Sequence, residues 1–130
     1  MRVAIVTGGA RGIGRAIAAR LLADGYGVVV ADVDEQAAQE AAAARPDQGP
    51  LWVVPTDVAD EAQVAAATHA AIERGGRLDA VVNNAAIARA PRVPVERLAL
   101  EAWNRQLAVN LTGAFLMACL LYTSPSPRDS

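Results

Sequence analysis

Four short apolar runs punctuate the chain, and each is followed by a segment in which apolar residues return every third or fourth position. The first run, Val3 to Val6, is unbroken rather than alternating, as a strand covered by helices on both faces should be. It ends at Thr7 and a glycine-rich turn. Beyond the turn Ile13, Ile17 and Leu21 recur every fourth residue, which predicts a helix packing that line on the sheet and stopping at Asp24-Gly25. The second run, Gly27 to Ala31, ends at Asp32 and leads into an alanine-rich, charged helix over Asp34 to Arg45, with Asp34 placed to cap it. Turn chemistry from Pro46 to Pro50 precedes a third strand, Leu51 to Val54. Asp60 then caps a helix that turns Val64, Ala67, Ala71 and Ile72 inward before Gly75-Gly76 ends it. Asp79 to Val82 is the fourth strand. A loop with Pro91 and Pro94 follows, and a last helix starts near Leu98 with Trp103, Leu107, Leu111, Ala114, Phe115 and Ala118 as its apolar stripe.

Strands alternating with helices imply right-handed crossovers and a parallel sheet. The expected fold is therefore α/β, a Rossmann-type doubly wound parallel sheet in the strand order 3-2-1-4, truncated after about four strands. Ligands of such sheets bind beyond the carboxyl ends of the strands, here above the first and fourth.

Composition narrows the partners. At 130 residues, 53% hydrophobic, with net charge −2, the chain suits one small domain. All 12 basic residues are arginines scattered along the sequence, so no patch matches a nucleic-acid backbone. No apolar run nears the roughly 20 residues of a membrane span, and a first strand beginning at about Arg2 leaves no room for a signal peptide, so a cytoplasmic protein is expected. The single cysteine, Cys119, excludes an internal disulfide framework. His69 is the lone histidine and lies on a helix flank, so no metal site is expected.

The turn after the first strand carries the chemistry. Glycines admit a ligand where side chains would intrude, and the following helix directs free N–H groups and its positive dipole end at an anion, which suits a dinucleotide pyrophosphate. Gly8, Gly12 and Gly14 are spaced Gly-x-x-x-Gly-x-Gly rather than Gly-x-Gly-x-x-Gly. Thr7 to Gly14, reading Thr-Gly-Gly-Ala-Arg-Gly-Ile-Gly, resembles the cofactor motif of the short-chain dehydrogenase/reductase family. Asp32 lies 18 positions beyond Gly14, where a carboxylate accepts both hydroxyls of the adenine ribose and repels a 2′-phosphate. That favours NAD over NADP, with Arg11 in the glycine loop as the opposing feature. Asp57-Val58 matches the pair that the family places around the adenine ring. Asn83 to Ala86 is similar to the family's Asn-Asn-Ala-Gly, whose first Asn braces the sheet while the second, here Asn84, lies by the cofactor. Ala86 replaces the usual glycine. The resemblance thus implies cofactor contacts from Gly8, Gly9, Arg11, Gly12, Ile13, Gly14, Asp32, Asp57, Val58 and Asn84.

Asn110 falls on the stripe of the last helix, where a buried amide left unbonded costs about 1 to 3 kcal/mol, so a partner is expected for it. In the family an Asn at this position relays protons through water to a catalytic Lys. The Ser and Tyr-x-x-x-Lys that complete the family's chemistry are missing from these residues: the chain has no lysine, and Tyr122 is followed four positions on by Ser126. The resemblance, from Arg2 to about Ala118, implies the cofactor-binding part of an NAD(P)-dependent oxidoreductase. The full-length parent would be homo-oligomeric and move hydride between the nicotinamide and a small alcohol or ketone. The alternative is a non-catalytic dinucleotide-binding redox sensor, separated from the enzyme by whether the gene encodes Tyr-x-x-x-Lys downstream. Residues 119–130 are expected to be an irregular tail, since Pro125 and Pro127 forbid helix. Cys119 to Asp129 resemble the translation of a sequencing-library adapter and are read as foreign to the domain.

Overall fold

The structure, a computed structural model, describes residues 1–44, 49–87 and 93–123. The elements follow in the expected alternation: β1 (Val3–Thr7), α1 (Gly12–Ala23), β2 (Gly27–Asp32), α2 (Glu35–Ala43), β3 (Leu51–Pro55), α3 (Glu61–Gly75) and β4 (Ala80–Val82). A 3₁₀ turn at Val95–Arg97 leads to α4 (Leu100–Leu107), a π-helical turn (Ala108–Thr112) and α5 (Gly113–Thr123). All strand pairs are parallel, in the order β3-β2-β1-β4.

The unbroken apolar runs are explained by where alternate side chains go. Val3, Ile5, Val29 and Ala31 enter one core with Val64, Ala67, Ala71 and Met117. Val6, Val28 and Val30 enter the other, with Ala18, Leu22 and Ala38. Both faces of β1 and β2 are thus dry, and no polar alternation is permitted there. β3 is half-buried and forms one edge of the sheet, ending at the exposed Pro55, which has no N–H to offer a further strand. At the amino end of the sheet the Asp79 carboxylate accepts Val3 N–H at 2.8 Å and Arg77 at 2.5 and 2.8 Å. The Arg77 bond is the larger reason that this carboxyl is held below its ordinary pKa, with the Val3 amide adding to it.

The expected helix stops are found at Asp24-Gly25 and at Gly76. Asp34 and Asp60 cap α2 and α3 through Ala37 and Gln63 N–H, at 3.0 and 3.2 Å. Arg45, Pro46 and Pro91, assigned above to a helix end and to loops, lie outside the described residues.

Three expectations about helix faces and ends are corrected. In α1 the buried line is Gly14, Ala18 and Leu22; Ile17 and Leu21 flank it and Ile13 is 74% exposed. A Cβ on Gly14 would run into Gly8 O and the Asn84 amide, so the helix approaches the sheet through its small residues, which an apolar count does not register. In the last helical segment Val109, Gly113 and Met117 face the core, while Trp103, Leu107, Leu111 and Phe115 of the expected stripe are exposed. A Cβ on Gly113 would press on Val58, so this side is chosen for closeness rather than bulk. Last, residues 119–123 are not irregular: α5 continues to Thr123, because nothing in Cys119 to Tyr122 opposes a helix before the constraint set by Pro125. The remainder of the expected tail, 124–130, lies outside the described residues.

Candidate functional site

The carboxyl ends of β1, β2, β3 and β4 converge on one cleft of about 270 Å³, whose lining includes Gly8, Arg11, Asp32, Asp57, Val58 and Asn84. Thr7 ties together the turns that line it. The buried Thr7 hydroxyl accepts Asn84 N–H at 3.0 Å and Ala85 N–H at 2.9 Å, and donates to Val82 O at 3.3 Å. Asn84 Nδ2 in turn donates to Gly8 O at 3.1 Å, and Gly8 N–H donates to Ala31 O at 2.8 Å. The turn is therefore fastened to both neighbouring strands. Gly8 and Gly12 have φ of 64° and 57°, the left-handed region that favours glycine.

Helix α1 differs from α2 and α3 at its start. Its N-cap residue, Arg11, makes no side-chain capping bond, and its first turn holds no acidic residue. The amides of that turn therefore have no side-chain cap. Beside them, Asp32 is already oriented: one oxygen accepts Ala10 N–H at 3.1 Å and the other Asp34 N–H at 2.9 Å. Arg11, which lines the cleft, forms an ion pair with Asp34. The Asp34 carboxyl is held below its ordinary pKa, first by the Ala37 N–H and then by the Arg11 charge.

On the far side of Asp32, Asp57 accepts Ala59 N–H at 3.0 Å and Arg105, from α4, at 3.3 Å. Val58 is buried between the cleft and Gly113. Asn110 lies in the π-helical turn and is exposed rather than buried. Its amide nonetheless has the expected partner, and doubly so: Ile87 N–H donates to Oδ1 at 2.7 Å, and Nδ2 donates to Ile87 O at 3.1 Å.

The structure thus brings together Gly8, Arg11, Asp32, Asp57, Val58 and Asn84, with Gly12, Ile13 and Gly14 at the adjoining helix start. Gly9 is turned inward onto Val30 and does not line the cleft, and Asn110 reaches it only through Ile87. The bracing expected of the first Asn falls to Asn84, while Asn83 is exposed beyond the end of β4. Thr7, Ile87 and Arg105 were not singled out from the sequence. A lone hydroxyl closing a wholly apolar strand would have flagged Thr7, whereas nothing in the sequence links Arg105 to Asp57. Among the described residues no group of His, Cys, Asp and Glu could hold a metal, and no helix is long and apolar enough to cross a membrane.

A parallel sheet in the order β3-β2-β1-β4, with helices between its strands and a cleft at its carboxyl ends, is a Rossmann-type fold. The profile of the short chain dehydrogenases matches residues 2–124, and the chain belongs to that family of oxidoreductases. It is 42% identical over 117 residues to a D-threitol dehydrogenase of Mycolicibacterium smegmatis, covering 89% of this chain and 44% of that protein. To a cis-4-hydroxycyclohexanecarboxylate dehydrogenase of Sinomonas cyclohexanicum it is 47% identical over 117 residues, covering 88% and 46%. A 3-ketoacyl-(acyl-carrier-protein) reductase from Brucella melitensis, solved in complex with NADH, superposes with a TM-score of 0.85 at 35% identity, over 92% of this chain and 48% of that one. The chain spans a little under half the length of these relatives.

Proposed function

We propose that the chain is the cofactor-holding part of an NAD(P)-dependent oxidoreductase that exchanges hydride between the nicotinamide and a small alcohol or ketone, with NAD as the favoured cofactor. The observation that carries this reading is the pairing of an uncapped α1 with the preset Asp32. The bound nicotinamide supplies the hydride chemistry. The residues of this chain do the holding: the α1 amides receive the pyrophosphate, Asp32 accepts the ribose hydroxyls, and Asp57 and Val58 border the adenine. Asn84 keeps Gly8 in place beneath them. Asn110, committed to Ile87, positions the loop after β4. The relatives, named as dehydrogenases and reductases, favour the enzyme over a redox sensor. The exposed stripe of Trp103, Leu107, Leu111 and Phe115 supports self-association of the full-length protein.

Titration of the full-length gene product tests the assignment. Asp32→Ala should weaken NAD binding by about 1 to 3 kcal/mol through loss of charge-assisted bonds, and should leave NADP less disfavoured. Tighter binding of NADP than NAD by the unaltered protein, with neither affinity changed by the substitution, would refute it. The 130-residue chain, having no lysine and no Tyr-x-x-x-Lys, should show no turnover on a panel of alcohols and ketones. Turnover abolished by Gly12→Asp would overturn the view of it as a holding half.

A further inference from the structure

Two arginines line the cleft, and both are engaged by carboxylates, Arg105 by Asp57 and Arg11 by Asp34. The second pairing bears on which dinucleotide is accepted. Ala10 N–H bonds Asp32 Oδ2, and the next residue, Arg11, lines the same cleft as the carboxylate that would meet the ribose 2′-hydroxyl. A phosphate on that oxygen would therefore find Asp32 repelling it and Arg11 as the neighbouring cation. Guanidinium is well matched to phosphate, through two parallel bonds. Here that guanidinium is turned to Asp34 instead.

Asp34 is held firmly enough to keep it. One carboxylate oxygen caps α2 through Ala37 N–H while the other meets Arg11, and its own N–H is bonded to Asp32. The acid thus belongs to a frame of three residues, unlike most surface ion pairs, whose two long side chains must both be ordered. Arg11 is 74% exposed and Asp34 34% exposed, so the pair is wet and its effect modest.

We propose that Asp34 is a second discriminator between the two nicotinamide cofactors: it occupies Arg11 and so withholds from NADP the cation that would otherwise offset the repulsion by Asp32. This inference rests on the reading of the cleft as a dinucleotide site. It differs from the role of Asp32, which would touch the ribose itself, because Asp34 acts only through Arg11.

The test is a double-substitution cycle in the full-length protein, with NAD and NADP each titrated by calorimetry. Asn caps a helix about as well as Asp, so Asp34→Asn removes the charge and leaves α2 capped. It should tighten NADP binding about fivefold, or about 1 kcal/mol, and change NAD binding by less than about twofold. With Arg11→Gln already present, the same substitution should change NADP binding by no more than about twofold, the remainder due to net charge alone. An equal gain with and without Arg11, or no gain at all, would overturn the inference while the dinucleotide reading stood. No binding of either cofactor by the unaltered protein would remove both. Asp34→Ser, which also caps and is neutral, repeats the cycle should Asn lower the melting temperature.

Discussion

Replacing Thr7 with valine removes one oxygen and keeps the shape of the side chain, so its cost isolates the hydroxyl. That oxygen accepts from two backbone amides, Asn84 and Ala85, and the residue is only 1% exposed. Ala85 N–H would be left without an acceptor, at about 1 to 3 kcal/mol, whereas Asn84 N–H keeps Val82 O at 3.1 Å and loses only part of its bonding; both peptides are half-buried, which gives about 1.5 to 2.5 kcal/mol together. The donation to Val82 O, at 3.3 Å, is long and adds little. Thr7→Ser is the control, since it keeps the hydroxyl and loses a buried methyl, worth about 1 kcal/mol. Urea unfolding of the full-length protein, with cofactor titration alongside, separates the two. Valine should cost more than serine and should also weaken NAD binding, because Asn84 is released from beneath Gly8. Equal midpoints for the two variants would refute the view of Thr7 as the fastening between β1 and the end of β4.

Asn110→Ala should free both backbone groups of Ile87, lower stability by about 1 to 2 kcal/mol and speed hydrogen exchange at the Ile87 amide. Asn110→Asp, which keeps an acceptor for that amide, should protect it better; exchange unchanged in both variants would contradict the contact. At the other end of the sheet, a folded pKa for Asp79 below the ordinary value of 3.8 means a stabilisation fully present above that value and lost as pH falls through the lower, folded one. Asp79→Asn should therefore lower stability at neutral pH and flatten the acid limb of the curve, measured as urea midpoint against pH from about 2 to 7. An acid limb of unchanged slope would count against the Asp79 assignment.

The strands and their order were readable because β1 and β2 bury both faces, which leaves runs of valine, isoleucine and alanine with no polar interruption. The capping acids Asp34 and Asp60 were equally legible, since their chemistry is local. What was misread has a common origin. Glycine has no hydrophobicity to count, yet Gly14 and Gly113 mark where helices come nearest to their neighbours, so the apolar stripes drawn through Ile13 and through Leu111 and Phe115 pointed to the wrong sides. The cleft-lining residues that lie in turns were legible because their motifs are contiguous. Arg105 was not, since it meets Asp57 across 48 residues of chain, and the widening of the helix around Asn110 leaves no mark in an apolar count.

That wide turn makes the last helical segment sensitive to residue number as well as residue type. Arg105 precedes it and reaches Asp57, Asn110 within it grips Ile87, and Gly113 and Met117 beyond it set the chain against Val58 and the core. An α-helix turns about 100° per residue, so deleting one position between Ala108 and Thr112 rotates everything before the turn by about that angle relative to everything after it. With Met117 seated, Arg105 would swing away from Asp57; with Arg105 seated, Met117 would leave the core. The turn acts as a phase-setting spacer, and along this stretch a one-residue deletion is more disruptive than most single replacements.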